Sequence, residues 1–432
     1  MKQHSATLSH VAQAVDSSRL FGKITMPGAL KIAPFRHIWG ALLLIHLSRW
    51  VEITVVGWVI VEATGSPFLV SLGVFARLAP FVVAGPIGGA MADRVNQVWF
   101  IRLTTIGRVA TAALLAYALF NFGSNLWWIY SLTALGGLFA SAVIPALRAL
   151  YAGLVPDREL TSALGFESLA FTISLIVGPL IAGAVLPFVE APVVFLGTTI
   201  AYLLAVSAMF LVPASIAEDS DNSIGSRLGL IRSIIEGVQV AKSRPIIIAV
   251  FAVIITAEGF AFTFLHLIPI FATDILGGGP GTLGALWSAQ GAGELTGSVL
   301  IVAWIGKRIS SPGRALLIAV GASMLIGIPL GLSSELPLTI FLLFSLGISA
   351  SVFSVMQSNV ILNATPPKLR GRLIGIQTMF LVGFPIGAII VGTIASLFGP
   401  HLAVVSMSTI GLILIGYVGV KSPQLRAKLV AD

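Results

Sequence analysis

Long apolar runs separated by short polar turns dominate this sequence. Twelve runs approach the length of a membrane-spanning helix, about 17 to 25 residues. They cover residues 37–62, 69–92, 99–120, 126–150, 163–187, 193–212, 245–271, 281–304, 315–332, 337–362, 373–396 and 401–420. The turns between them are rich in Gly, Pro, Ser and Asn, which end helices. The pattern predicts an all-α membrane protein with twelve transmembrane helices, here called spans one to twelve.

The composition agrees with a surface that faces lipid. Apolar residues make up 57% of the chain and charged residues 10%, whereas soluble domains carry about 25% charged residues. A chain this apolar cannot cover a surface that faces water, so we expect membrane lipids to be its solvent. The absence of cysteine excludes disulfides, thiolate metal sites and cysteine nucleophiles.

Basic residues fall on alternate loops. With the N-terminus placed inside, the outer loops hold no Lys or Arg, and every basic residue except Arg49, Arg77 and Arg108 falls in an inner segment. Basic residues concentrate on the cytoplasmic side of membrane proteins. We therefore predict that both termini are cytoplasmic, in a bacterial inner membrane. We attribute the net charge of +8 to the basic residues that set this topology, and we do not expect the protein to bind nucleic acid.

One long connection divides the spans into two groups of six. Within it, apolar residues recur at near-helical spacing beside basic ones, which predicts an amphipathic helix on the inner membrane surface. The predicted segments are a cytoplasmic tail over 1–35 without a signal-peptide pattern, a six-helix bundle over 36–212, a cytoplasmic linker over 213–244, a second six-helix bundle over 245–420 and a cytoplasmic tail over 421–432. A proline lies nine residues before a glycine at Pro156 and again at Pro366. The distance in sequence between these two prolines suits two parallel six-helix repeats.

The loop after span two carries a recognisable motif. It reads Gly88-Gly89-Ala90-Met91-Ala92-Asp93-Arg94-Val95-Asn96-Gln97. Gly89, Asp93 and Arg94 match the loop signature of major facilitator transporters, which this segment resembles, and Asn96 and Gln97 depart from it. The resemblance implies two pseudo-symmetric six-helix bundles and a conformational latch formed by these three residues. The alternative is a turn that only sets topology.

Span five contains Gly165, Ser174, Gly178, Pro179 and Gly183. Their spacing is similar to the antiporter motif of the same family, with Ser and Ala in place of two glycines. The motif implies a kinked, closely packed helix that seals the cavity against leakage. An ordinary proline kink is the alternative.

A subgroup resemblance extends over most of the chain. Phe35 to Trp39, Gly65-Ser66-Pro67, Leu169-Ala170-Phe171 and Arg370-Gly371-Arg372 resemble bacterial siderophore and drug exporters of the enterobactin-exporter type. The resemblance implies a transporter that exports a small organic molecule. The span-five motif and the buried charges predict that export is coupled to protons, by alternating access, and we expect a monomer.

Ionisable residues inside spans are expected to face partners or a watery cavity, because each costs several kcal/mol in lipid. His46, Arg49 and Glu52 are three residues apart in span one and share roughly one helix face. Glu258 and His266 are eight residues apart in span seven, near two turns, and also align on one face. We predict that Glu52 or Glu258 carries the coupling proton and that Arg49, His46 and His266 bind substrate. A static Arg49–Glu52 pair is the alternative.

Further polar residues complete the predicted substrate site. Glu294 in span eight and Gln357 and Asn359 in span ten are candidates, with interhelical hydrogen bonds as the alternative for the span-ten pair. Arg77 and Arg108 have no partner that the sequence assigns, and bundle-stabilising pairs are expected.

Several chemistries have no sequence signal. The chain has no phosphate-binding loop, no paired metal spacing and no placed catalytic dyad, so we expect no cofactor, no metal and no enzyme activity. Proton-coupled export is the first hypothesis. An importer of a small nutrient or metal-chelate is the second, and an intramembrane enzyme or a lipid scramblase is the remote third.

Overall fold

The computed structural model describes residues 28–92, 95–141, 143–214, 244–301, 309, 311–365, 373, 377 and 382–427. Every regular element in these segments is helical. Several predictions lie outside them: most of the N-terminal tail, the latch residues Asp93 and Arg94, and the amphipathic linker helix.

The described part of the N-terminal half has a short 3₁₀ turn at Gly28–Lys31 followed by seven helices. These are α1 (Ala33–Thr64), α2 (Pro67–Ala92), α3 (Gln97–Phe122), α4 (Leu126–Ser141), α5 (Val143–Leu154), α6 (Asp157–Val185) and α7 (Ala191–Phe210). Helices α4 and α5 together occupy the predicted fourth span.

The described part of the C-terminal half is also helical. Its helices are α8 (Pro245–Thr256), α9 (Phe264–Ile270), α10 (Pro280–Leu300), α11 (Pro312–Leu332), α12 (Leu336–Asn363), α13 (Gly383–Phe398), α14 (Pro400–Lys421) and the short α15 (Pro423–Arg426). Two π-helical turns, Ala257–Ala261 and Phe271–Ile275, interrupt the predicted seventh span.

Local sequence explains where several helices begin and end. Gly65 adopts φ 57° and ends α1, a backbone conformation that glycine reaches without a steric penalty. The Asn96 side chain accepts a hydrogen bond from the Trp99 amide at 3.2 Å and caps α3. Proline occupies the first turn of most helices in the C-terminal half, where its missing N–H costs nothing.

Within the described residues, each predicted apolar run falls on helical segments. Among the described residues, eight apolar helical stretches are long enough to cross a membrane, one of them the interrupted seventh span at Pro245–Ile275. Shorter apolar stretches lie at 67–80 within α2, in α4 and in α13. The all-helical membrane fold is confirmed. The full count of twelve spans stays a prediction.

The helices pack into two groups joined along two seams. In the N-terminal half, α1 packs on α6 and α7, α3 on α7, and α2 on α4. In the C-terminal half, α12 packs on α10 and α11, and α11 on α14. The halves meet where α6 packs on α10 and α2 packs on α13. A site between the halves is therefore enclosed by both.

Candidate functional site

A cavity of about 550 Å³ lies between the two halves. Both halves line it, through α1, α2, α4 and α6 on one side and the seventh span, α10, α12 and α13 on the other. Its polar lining residues are Arg49, Trp50, Arg77, Thr133, Glu258, His266, Trp287, Gln290, Glu294, Ser354, Gln357, Ser358 and Gln377. Pockets of this size bind drug-sized molecules.

Glu52 forms an ion pair behind the cavity wall. Its Oε2 lies 3.5 Å from Arg77 Nη2, and both side chains are nearly buried. The Tyr202 hydroxyl of α7 also hydrogen-bonds to the Glu52 carboxylate, and Arg108 donates to the Tyr202 oxygen. The bundle-stabilising pair expected for Arg77 is therefore an ion pair with Glu52 that joins α2 to α1. Arg77 itself lines the cavity, whereas Glu52 stands one layer behind it.

The three charged or titratable residues predicted in span one occupy different environments. Arg49 lines the main cavity, and its carbonyl accepts a hydrogen bond from Arg77 at 3.5 Å. His46 is buried with its ring 5.5 Å from that of Phe171, and it lines a small adjoining cavity with Arg49, Arg108 and Glu167.

Glu258 and His266 both line the main cavity. Glu258 lies on the first π-helical turn of the seventh span, and α13 packs closely there. A Cβ atom at Gly387 would lie 2.8 Å from the Gly259 carbonyl oxygen, so glycine allows this approach. The His266 ring contacts Phe384 of α13, with 4.3 Å between ring centroids. Helix α13 thus holds both candidates against the cavity.

Of the remaining residues predicted to bind substrate, two line the cavity and one does not. Glu294 and Gln357 line the cavity, and Gln290 donates a 3.4 Å hydrogen bond to Glu294. Asn359 is absent from the lining and instead accepts a 2.7 Å hydrogen bond from Asn363 on its own helix. The structure therefore brings Glu258, His266, Glu294, Gln357 and Arg49 together around one space, and leaves Asn359 apart.

Aromatic rings form much of the remaining wall. Trp50 of α1 and Trp287 of α10 meet across the two halves with 5.5 Å between centroids, and Phe171 lies 6.0 Å from Trp50. Phe262, Phe353 and Phe384 line the opposite half. The cavity can therefore hold an aromatic molecule among a few polar groups.

The glycine-rich motif of α6 lies at the contact between halves. A Cβ at Gly178 would lie 2.6 Å from Trp50 Cβ, and a Cβ at Gly183 would lie 2.7 Å from the Pro280 carbonyl oxygen. Ser174 is buried and donates to the Leu43 carbonyl at 3.4 Å. Gly165, at the other end of the motif, faces open space. Gly178 and Gly183 of the motif thus allow α6 to approach α1 and α10.

Sequence reasoning missed the place of Arg77 on the cavity wall, although it was visible as a buried charge. It also missed Tyr202, which carries no charge and is bound to Glu52 behind the wall. From the sequence, Trp50 and Trp287 could serve either as interface anchors or as ligand platforms, and the structure places both on the cavity wall. Across the described segments, no group of three or more His, Asp or Glu side chains is placed to hold a metal ion.

Comparisons with known proteins agree with this architecture. The family model described as Major Facilitator Superfamily matches residues 38–380. The chain is 23% identical to macrolide efflux protein A of Streptococcus pyogenes over 78% of this chain and 83% of that protein. It is 23% identical to the staphyloferrin A transporter of Staphylococcus aureus over 88% of this chain and 95% of that protein.

A solved structure shares the fold. The crystal structure of a D-xylose–proton symporter superposes with a TM-score of 0.70 and 14% sequence identity, covering 90% of this chain and 97% of the symporter. The family match spans most of the chain, and the apolar helices and shared cavity fit it. The chain therefore belongs to the major facilitator superfamily and is an integral membrane transporter.

Proposed function

We propose that this transporter exports a small organic molecule, of the siderophore or drug-like class, in exchange for protons. It works as a monomer with both termini in the cytoplasm, alternating between openings on the two sides of the inner membrane. The names of two relatives, a macrolide efflux protein and a staphyloferrin A transporter, support this substrate class.

Glu258 is the observation that carries the proposal. Its carboxyl group lines the cavity that both halves share, and no ion pair reaches it from any residue that the structure describes. A carboxylate buried without a counterion costs several kcal/mol. A proton or a cationic group of the cargo removes this cost, and the two compete for one carboxyl group. Such competition exchanges protons for cargo.

Glu52 is the second candidate for the coupling proton. It is bound to Arg77, and Arg77 lies on the cavity wall. A cargo that binds Arg77 competes with Glu52 for the same guanidinium group. Cargo binding then changes the affinity of Glu52 for a proton, which links the two events through one side chain.

Inverted membrane vesicles with an acidic interior provide the test. A pH-sensitive dye reports proton release when macrolides and siderophores are added one at a time. We expect at least one compound to release protons in vesicles with the wild-type protein. We expect Glu258→Gln to abolish this release, and Glu62→Gln, an exposed carboxyl group at the end of α1, to preserve it.

Two results would contradict the proposal. The first is compound uptake that persists unchanged in both Glu52→Gln and Glu258→Gln. The second is accumulation in right-side-out vesicles alone, which would favour the importer hypothesis.

A further inference from the structure

His266 presents one ring nitrogen to the cavity as a hydrogen-bond acceptor. The side chain lines the cavity, is 1% exposed and donates a hydrogen bond to the backbone carbonyl of Phe384. The buried Nε2 has no hydrogen-bond partner among the described residues, so the nitrogen bound to Phe384 is Nδ1. A neutral imidazole that carries its proton on one nitrogen accepts through the other. His266 Nε2 is therefore an acceptor that a bound molecule can satisfy.

Helix α13 fixes the orientation of this ring. Phe384 supplies both the carbonyl that accepts from Nδ1 and an aromatic ring whose centroid lies 4.3 Å from that of the imidazole. Gln357 Oε1 on α12 is a second buried atom of a cavity-lining residue, and it too has no partner within the segments that the structure covers. A buried acceptor without a donor is unfavourable. This part of the wall is thus suited to N–H or O–H groups of the cargo.

Glu258 provides a separate position for a cation on the same wall. It lies eight residues before His266 in the seventh span, which is about 12 Å along a helix at 1.5 Å per residue. No ion pair reaches its carboxyl group from any residue in the described part of the chain. Arg49 and Arg77 line the opposite wall, and their charges repel a cation. A cationic group of the cargo is therefore favoured beside Glu258, away from the acceptor at His266.

We propose that the cargo is an aromatic amine with a second, uncharged hydrogen-bond donor, and that His266 selects the cargo by accepting from that donor. The protonated amine pairs with Glu258, and a hydroxyl or ring N–H at the other end donates to His266 Nε2. The aromatic body lies among the rings of the wall, which include Trp50 and Trp287. This assignment rests on the proposed export function and narrows the substrate class within it.

The test uses 2-naphthols that carry an aminoalkyl chain on the distant ring. Chains of increasing length vary the distance between the amine and the hydroxyl. For each length, the methyl ether removes the uncharged donor and the N-acetyl derivative removes the positive charge. Isothermal titration calorimetry measures binding to the detergent-purified protein. At the best chain length we expect the free hydroxyl compound to bind about tenfold more tightly than its methyl ether, because a site built to accept from a hydroxyl rejects the analogue without it.

Variants assign each group of the ligand to its residue. His266→Phe keeps a ring beside Phe384 but has no nitrogen. It should weaken the hydroxyl compound about tenfold and leave the methyl ether almost unchanged, since the effects of two groups in contact are not additive. Glu258→Gln should instead weaken both amines alike and spare the N-acetyl derivatives.

His401→Phe is the matched control for His266→Phe. The His401 ring also bonds to a backbone carbonyl, that of Gly331 at 2.6 Å, but it is absent from the cavity lining. This substitution should change none of the affinities. Thermal unfolding verifies that each variant is folded, and the comparison of ligands on the wild-type protein requires no variant.

The outcomes separate this proposal from the function on which it rests. Equal binding of hydroxyl and ether at every chain length, an equal loss of both in His266→Phe, or no binding by any compound overturns the assignment. A loss in His266→Phe that is confined to the hydroxyl compound supports it, even where vesicles show no proton-coupled transport. That combination would contradict the export function alone.

Discussion

Arg77 and Glu52 form a buried pair whose two members depend on each other. Removing one partner of such a pair leaves an uncompensated charge and costs about 3–5 kcal/mol, whereas removing both costs less. We expect Arg77→Gln to lower the unfolding temperature markedly, because Glu52 then loses the guanidinium 3.5 Å away. The double variant Arg77→Gln with Glu52→Gln should recover part of this loss. Thermal unfolding in detergent measures both.

Arg158→Gln provides the control for this pair. Its side chain is 84% exposed, so its removal should leave the unfolding temperature nearly unchanged. If the effects of Arg77→Gln and Glu52→Gln on the unfolding temperature are strictly additive, the Arg77–Glu52 pair contributes no coupling energy.

The same pair shows how far sequence reasoning reaches at the scale of single residues. Helical spacing placed Arg49 and Glu52 near one face of span one, since residues three apart on a helix are neighbours. The partner that the structure gives Glu52 comes from the next helix, α2. Contacts between helices depend on how the helices rotate against each other, and a hydrophobic pattern without a polar stripe does not fix that rotation.

At the scale of helices, close packing between α6 and α10 depends on glycine. A Cβ at Gly183 would lie 2.7 Å from a backbone oxygen of Pro280, so the helices would have to separate. Overpacking of this kind costs about 1–3 kcal/mol. We expect Gly183→Ala to lower both the unfolding temperature and the transport rate.

Gly197→Ala on α7 is the matched control for this substitution. It faces open space, so the higher helix propensity of alanine should leave stability unchanged or raise it by up to about 1 kcal/mol. An equal effect of the two substitutions would show that the α6–α10 contact tolerates a side chain.

The seventh span shows what the pattern of apolar residues misses at this scale. Its run of residues predicted one continuous helix with Glu258 and His266 on one face. The structure instead contains two π-helical turns and a break near Phe262, and both residues still reach the cavity. A π turn and an α turn have similar hydrophobic patterns, so the apolar run alone does not reveal the interruption.

At the scale of the whole molecule, the apolar runs and turn residues predicted the helical fold well. The run at 99–120, for example, matches α3 at Gln97–Phe122, because lipid requires each spanning segment to be apolar and helical. The two-half division followed from the one long polar connection. The cavity between the halves was expected only through the family resemblance, since no local pattern in one helix specifies which helix will face it.

The contact between α2 and α13 allows a test of whether the halves must separate during transport. The Phe68 amide donates to Ser396 Oγ at 3.0 Å, which brings the two backbones near the range that a disulfide spans. Because the chain has no cysteine, the pair Phe68→Cys with Ser396→Cys introduces the sole thiols. Alternating access requires this seam to open. We therefore expect oxidation to stop transport in vesicles and a reducing agent to restore it.

The control places the same bond within one half. Ser323 and Ser349 lie on α11 and α12, with 2.9 Å between their hydroxyl oxygens, so a disulfide between cysteines introduced there joins helices of the same bundle. Oxidation of that pair should leave transport intact, because rigid halves rock as units. If the disulfide across the α2–α13 seam forms quantitatively and transport continues at the full rate, this seam does not open during transport. Access to the cavity would then have to come from motion within one half rather than from movement of the two halves against each other.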